Sequence, residues 1–316
     1  MQKLVQQGYR FNTRRTYSSA QKSFIDFCSK FGLSPLPASE QLILLYIAHL
    51  HSCKLVASSI CVYLSGIRSL HVLQGFPPPP TSSPRIKLVL KAISEMNPPP
   101  AQRYPITYQM LCVLCNLLSS DYSGLLYKAV FCVAFFGALR SDEYVVGDTL
   151  VDQQQSPPLS LAQIEFGIEP CGLKFVCLNL ARTKTTPHGI MVPIGCSSTQ
   201  VCAVCLLKQY LRARYSMMCT QLSHPLFALE DGSPLTKSRL NKVLKSLVGQ
   251  MGLDPSLFSS HSFRAGATST AASVQSRPFQ AWELKALGNW RSDTYVRYIR
   301  NVKAHKLQFA QRLTET

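Results

Sequence analysis

The sequence predicts a mainly α-helical protein that carries one small antiparallel β-hairpin and is divided into two domains. Three observations point there. Apolar residues recur every three or four positions over most of the chain, the period of a helix face. One stretch, "GLKFVCLNLARTKTTPHGIMVPIG" at 172–195, instead sets β-favoured residues on both sides of a polar turn. Two proline clusters, "GFPPPPTSSP" and "NPPPAQRYP", break the helical pattern, and the second divides the chain into two lengths of domain size.

Taken in order, the first helix is expected over 12–31, with Tyr17, Ala20, Phe24, Phe27 and Phe31 on its apolar side and Asn12 able to cap its start. Arg14, Arg15, Lys22 and Lys30 occupy its other positions. A second helix covers 39–52, and a third covers 57–73 with Ile60, Leu64, Ile67 and Leu70 as its stripe. A fourth, "RIKLVLKAISEM", ends before the second proline cluster. These four helices form a domain over 1–97, residues 98–105 are a proline-rich linker, and 106–316 form the second domain. There, helical patterns are expected at 107–119 and 121–139, then the hairpin with "RTKTTPHG" at its tip, then helices at 199–214, 235–250, 261–273, 281–287 and around 293–300.

A hydrophobic content of 46% with 16% charged residues describes a globular chain with a core and excludes a disordered one. No uninterrupted apolar run of about 18 residues implies a membrane span, and "MQKLVQQGYRFNTRR" lacks the apolar stretch of a signal peptide. The net charge of +17, spread along the chain, points to a polyanion partner, most often nucleic acid. The twelve cysteines sit mostly among apolar neighbours, as buried free thiols do in a reducing compartment. Two CxxC pairs, Cys112/Cys115 and Cys202/Cys205, lie in helical-looking apolar stretches without the turn that converges zinc ligands, so they read as core packing and no metal is expected.

Polar residues that interrupt apolar helices carry the chemistry. "FCVAFFGALRSDEY" places Arg140 just after a strongly apolar helix, with Glu143 positioned to meet it on the same helix face. In "HSFRAGATSTAA", His261 and Arg264 project from one face at the start of a helix that Ser259 or Ser260 can cap. The small residues Ala265, Gly266 and Ala267 leave room for another backbone to approach. "GNWRSDTYVRYIR" follows, with Trp290, Tyr295 and Tyr298.

Read in order, "GALRSDEY", a hairpin lysine, "HSFR", "LGNW" and a tyrosine resemble the tyrosine recombinase (integrase) family, over nearly the whole chain. "HSFRAGA" and "LGNWRSDTYVRYIR" look most like recombinases of DIRS-like and related eukaryotic mobile elements. The resemblance implies an α-helical, SAM-like core-binding domain and an α+β catalytic domain that close on double-stranded DNA as a clamp. It implies a DNA strand-exchange enzyme of integration or transposition, working through a 3′-phosphotyrosyl intermediate without metal, ATP or other cofactor. It assigns Arg140, Lys184, His261, Arg264, Trp290 and Tyr298 as catalytic, with Glu143 in support. Trp290 stands where many members have a second histidine, and its interval to Tyr298 is eight where nine is usual. Tyr295 reads as a packing residue one helical turn away.

These residue types suit the reaction. Tyrosine is a poor nucleophile until a base and positive charge assist it. Two guanidiniums can grip the non-bridging oxygens as charge grows on them, a lysine can protonate the leaving oxygen, and an indole N–H can reach the phosphate. Arg14, Arg15, Arg68, Arg103 and Arg182 are the expected phosphate contacts. A type IB topoisomerase shares much of this chemistry, and a recombinase-derived DNA-binding protein could keep the residues without catalysis. Nuclear location follows if a eukaryotic mobile element encodes the chain, cytoplasmic location otherwise, and secretion is not expected. The 18 residues "IRNVKAHKLQFAQRLTET" have the apolar side of a short helix, which either folds back on its own domain or, as in the family, docks into a neighbouring protomer of a tetramer assembled on paired DNA sites.

Overall fold

The structure is a computed structural model and describes residues 8–97, 103–155, 158–181, 188–218, 220–274 and 279–299. The chain divides into two compact units, Met1–Pro100 and Ala101–Thr316. Among the described residues no helix is long and apolar enough to cross a membrane.

Among its described residues the first unit has four helices: α1 (Phe11–Lys30), α2 (Glu40–Ser52), α3 (Ala57–Gln74) and α4 (Pro84–Met96). Their apolar stripes meet in one core that contains Phe24, Tyr46, Ile47, Ile60, Ile67 and Ile93. Ser39 and Ser83 begin α2 and α4 by accepting hydrogen bonds from the amides of Leu42 and Ile86, groups a helix start otherwise leaves unpaired. Helices α1 and α3 approach closely because Gly66 has no side chain: a Cβ there would lie 2.6 Å from that of Ala20. His71 is buried in this core, taking a hydrogen bond from the Ala38 amide at 2.9 Å on Nε2, which leaves Nδ1–H to donate to the Ile67 carbonyl. Two expectations at the ends of α1 fail. Asn12 does not cap it, since the helix starts one residue earlier with Arg10 in the cap position and no side-chain cap. Phe31 lies past its last residue and is exposed, because the helical period stops mattering where the helix ends.

The second unit is built around α6 (Tyr122–Phe136), preceded by α5 (Tyr108–Leu117). Helix α6 is apolar on all sides and almost wholly buried. Asp121 caps it through the Gly124 amide at 2.7 Å, and Gly124 is needed there because a Cβ would meet the Ser119 carbonyl oxygen at 2.1 Å. The helix ends at Phe136, short of 139, because Ala138 takes a left-handed conformation (φ 43°). After the short helix α7 (Leu150–Gln155) comes a three-stranded antiparallel sheet in the order β1 (Ile164–Ile168), β2 (Lys174–Leu180), β3 (Ile190–Gly195). Strands β2 and β3 are the expected hairpin, in register Val176 with Ile194 and Leu178 with Val192. Strand β1 and helix α7 are additional: "IEFGI" is short, carries a glycine and has no fully buried residue, so it leaves little period-two signal. Helices α8 (Ala203–Met217), α9 (Lys237–Gln250), α10 (His261–Ala272) and α11 (Ala281–Leu287) follow among the described residues, then a 3₁₀ turn at Asp293–Tyr298.

Helix α8 begins at Ala203, later than expected, with Cys202 as its N-cap. Cys202 and Cys205 therefore straddle a helix start at the end of a loop, and the expectation that this pair lies inside a helix without a nearby turn does not hold. Neither Ser259 nor Ser260 caps α10 by its side chain: Ser260 is itself helical in conformation. Its amide instead donates to Asn241 Oδ1 of α9 at 2.7 Å.

Candidate active site

Arg140, His261, Arg264, Trp290 and Tyr298 arise from three separate stretches, and the fold gathers them around the start of α10. Arg140 follows the left-handed turn at Ala138 and caps a 3₁₀ turn, Ser141–Glu143. Glu143 holds it twice, accepting from the Arg140 amide at 2.7 Å and from Nη1 at 3.0 Å. The pair does not share a helix face, as the spacing had implied; the Glu143 carboxylate reaches back across a 3₁₀ turn after α6 has ended. The Arg140 side chain stays 20% exposed while that of Glu143 is 7% exposed, so the carboxylate is a buried brace and the guanidinium keeps an open side.

His261 and Arg264 sit in the first turn of α10. Gly266 lets this helix lie directly against the backbone at Ile106, where a Cβ would fall 1.7 Å from the carbonyl oxygen, and the Ile106 amide donates to the Ser262 carbonyl at 3.0 Å. Arg264 is 1% exposed. Its Nη1 donates to the Ala138 carbonyl and its Nη2 to the Gly288 carbonyl at 2.6 Å. The residues carrying or flanking these acceptors, Ala138 and Asn289, both have left-handed backbones (φ 43° and 53°). The chain bends abnormally at both places where it presents a carbonyl to this guanidinium. Arg264 Nε is buried and has no partner among the described residues. A buried donor left unpaired costs about 1–3 kcal/mol, and here it belongs to a cation without a carboxylate of its own, which suits an anionic ligand. Burial, then the neighbouring charge of Arg140, lowers the Arg264 pKa to about 10, with Glu143 and Tyr298 acting in the opposite sense. The group keeps its charge at neutral pH.

Trp290 forms the floor. It is buried with Leu284, Tyr295 and Ala271, and the Arg264 guanidinium lies over its ring at 4.2 Å. Gly288 accommodates it, since a Cβ there would lie 2.1 Å from the indole. Tyr295 and Tyr298, three apart on a 3₁₀ turn, share one side of it and both reach Trp290, at ring separations of 6.4 and 5.4 Å. They differ in their hydroxyls. Tyr295 is 8% exposed and belongs to the packed cluster. Tyr298 is half-buried, and its hydroxyl lies 3.2 Å from His261 Nε2. Ser269 anchors the nucleophile candidate from behind, donating to the Tyr298 carbonyl at 2.6 Å. A 3₁₀ turn rises about 2.0 Å per residue against about 1.5 Å in an α-helix, so an interval of eight from Trp290 still carries Tyr298 to the histidine.

His261 keeps an exposed edge, yet its pKa is lowered, first by loss of solvent around the ring and then by Arg264, Lys237, Arg140 and Arg103. A neutral imidazole beside a phenol can accept its proton. Lys237, at the start of α9, was not singled out in the sequence; no local pattern distinguishes it from other surface lysines, and only the fold brings its charge near. It pairs with Asp142 at 3.2 Å.

Lys184 and Arg182 lie outside the described residues. Of the other expected phosphate contacts, Arg14 and Arg15 are on α1 and Arg68 is on the exposed side of α3, all in the first unit. Arg103 lies in the second unit, exposed, with Nη1 3.4 Å from the Phe258 carbonyl.

No protein-family model matches the chain. A curated relative, the integrase/recombinase xerD homolog of Selenomonas ruminantium, is 26% identical over 270 residues, covering 83% of this chain and 74% of the relative. Among solved structures, the XerH site-specific recombinase in a post-cleavage complex with a palindromic difH substrate is similar at a TM-score of 0.63 and 17% identity, over 96% of this chain and 80% of that one. The Tn1549 transposon integrase bound to transposon right-end DNA gives 0.59 at 11% identity, over 95% and 94%. A lambda integrase dimer on a core site gives 0.54 at 15%, over 94% and 92%. The chain is thus similar in sequence to an integrase/recombinase and has the fold of DNA-bound tyrosine recombinases, and the order of residues gathered here agrees with that likeness.

Proposed function

We propose that this chain breaks and rejoins double-stranded DNA as a site-specific recombinase, with Tyr298 as its nucleophile. The observation that carries the reading is the Tyr298 hydroxyl 3.2 Å from His261 Nε2, beside a buried arginine that retains an unpartnered Nε. Phosphodiester oxygens placed against Arg264 and Arg140 would meet fixed positive charge, strongest where their own negative charge grows during attack. The phenol proton passes toward His261 as the phenolic oxygen bonds to phosphorus. The 5′ oxygen of the next nucleotide leaves and takes a proton, and Lys184 is the group assigned to give it. A 3′-phosphotyrosyl ester remains. Its formation conserves the phosphate bond energy, so a 5′ hydroxyl can attack it and release Tyr298 without ATP.

A nicked suicide DNA substrate, from which the leaving strand diffuses away, tests this. The native chain should accumulate a covalent protein–DNA adduct. Tyr298→Phe should lose it and still bind DNA, while Tyr295→Phe should keep it. An adduct that persists in Tyr298→Phe and vanishes in Tyr295→Phe would overturn the assignment. Exchange of strands between two duplexes, as against closure of a single nick, separates recombination from topoisomerase action.

The finer identity is also a proposal. Mobile-element origin and a role in transposition are supported by the phrases "HSFRAGA" and "LGNWRSDTYVRYIR" and by likeness to a transposon integrase. A eukaryotic element would place the reaction in the nucleus. Assembly as a tetramer on paired sites is supported by the chemistry itself, because exchange between two duplexes requires four strand cuts.

A further inference from the structure

Three cysteines converge away from the tyrosine site. Cys196 follows the last residue of β3, Cys202 is the N-cap of α8, and Cys205 lies in its first turn. The Cys196 sulfur is 3.5 Å from that of Cys202 and 3.9 Å from that of Cys205, and all three lie within 4.8 Å of one another. A tetrahedral zinc site with Zn–S bonds of about 2.3 Å sets its sulfurs about 3.8 Å apart, so the three thiols already stand near one face of that tetrahedron. The backbone brings them there without a side-chain rearrangement. Cys196 is fixed at the sheet by its amide, which donates to the Lys174 carbonyl at 2.7 Å. The connecting loop is held by Ser197 Oγ on Thr199 Oγ1 at 2.9 Å and by Thr199 Oγ1 on the Val201 carbonyl at 3.0 Å. The amino end of α8 adds a favourable field for thiolate charge. Cys205 is exposed, which gives an ion a route in.

We propose that Cys196, Cys202 and Cys205 form a trithiolate site for a thiophilic d¹⁰ cation, Zn²⁺ first, with the outward fourth position open to solvent. Soft thiolate sets select such ions over hard ones. Strand β3 runs from the 181–189 connection, which carries Lys184, to Cys196 at its opposite end. The ion would therefore staple the sheet to α8 at the end of the hairpin away from its tip, as a structural element outside the cleavage chemistry.

Titration of the reduced full-length chain with Co²⁺, under a non-thiol reductant, tests the proposal. The expected result is one strongly bound Co²⁺ per chain, with the sulfur-to-cobalt charge-transfer band and the visible bands of a tetrahedral thiolate site, displaced by one equivalent of Zn²⁺. Zn²⁺ should also raise the thermal midpoint of the native chain. Cys205→Ser changes an exposed side chain and should fold normally by circular dichroism, yet lose tight binding at least tenfold together with the thermal shift. Cys171→Ser, at an exposed cysteine outside the cluster, should change neither. Absence of the charge-transfer band in the native chain overturns the proposal, and so does equal binding by Cys205→Ser. A disulfide that forms within the cluster while the reduced chain ignores Co²⁺ would make it a redox pair instead.

Discussion

His261 shows how one residue is tuned by what surrounds it. Its imidazole loses solvent and faces four cations, Arg264, Lys237, Arg140 and Arg103, all of which disfavour a further positive charge. Its folded pKa is therefore below the ordinary 6.5. As pH falls through 6.5 the unfolded chain takes up this proton before the folded one, so folding stability from this group is lost on acidification and is unaffected above that range. For cleavage the sign is the same: the base-competent neutral form persists below pH 6.5, and the acid limb of single-turnover cleavage should lie there. Lys237→Ala removes one of the four cations without touching the tyrosine and should move that limb upward. An acid limb unchanged in Lys237→Ala, with NMR showing His261 titrating as before, would remove the electrostatic explanation. Lys184 tests the other proton transfer. Lys184→Ala should slow cleavage about 10²–10⁴-fold, the range of a positioned general acid. A substrate with a sulfur leaving group needs no protonation and should recover most of that rate. Loss of rate on both substrates alike would assign the role elsewhere.

At the scale of elements, the site depends on a helix lying closer to a neighbouring backbone segment than side chains normally permit. Helix α10 rests on the backbone at Ile106 through Gly266, with only 1.7 Å between a hypothetical Cβ and a carbonyl oxygen. Because the obstacle is backbone and not a flexible side-chain end, Gly266→Ala should destabilise the second unit by about 3 kcal/mol or more. Denaturant unfolding followed in that unit would show it, and a loss under about 0.5 kcal/mol, within the usual range of a surface change, would mean the contact yields. The sequence marks this spot as a run of small residues but not which backbone fills it. The same limit applies to Arg214 and Arg264, both 1% exposed. Arg214 donates to the carbonyls of Pro225 and Leu226 and serves packing; Arg264 donates to two carbonyls beside a tyrosine and a tryptophan. Composition and spacing do not separate them, because the difference lies in what faces the guanidinium.

At the scale of the molecule, the proposed exchange between two duplexes would need four strand cuts, and the stretch 299–316, helix-like in its sequence pattern, is the candidate connector between protomers. Deleting 303–316 should leave binding to a single site near normal in a gel-shift assay while reducing synapsis and strand exchange, since a segment donated between protomers is not needed by one protomer alone. A truncated chain that unfolds or fails on single sites would place the segment against its own unit.

The longer helices of both units were legible because a 3.6-residue apolar period runs along them, and the β2–β3 hairpin because two β-favoured runs flank a polar turn; the short helix α7 was not. The order Arg140, His261, Arg264, Trp290, Tyr298 was legible through the resemblance to tyrosine recombinases, in which those residue types recur in that order. The sequence could not say that Glu143 braces Arg140 from a 3₁₀ turn and not from a shared helix face, because helix α6 ends at a left-handed alanine whose cost is borne by surrounding packing. Between two tyrosines three apart, the resemblance named Tyr298 and left Tyr295 to packing; what only folding shows is how each is used, Tyr295 going into the Trp290 cluster and Tyr298 turning its hydroxyl to His261. It is likewise only folding that brings the end of β3 to the start of α8 and three thiols to one point. Periodicity and residue type are local properties and can be read along the chain. The direction a polar group faces is set by contacts between distant segments, and only the tertiary structure determines it.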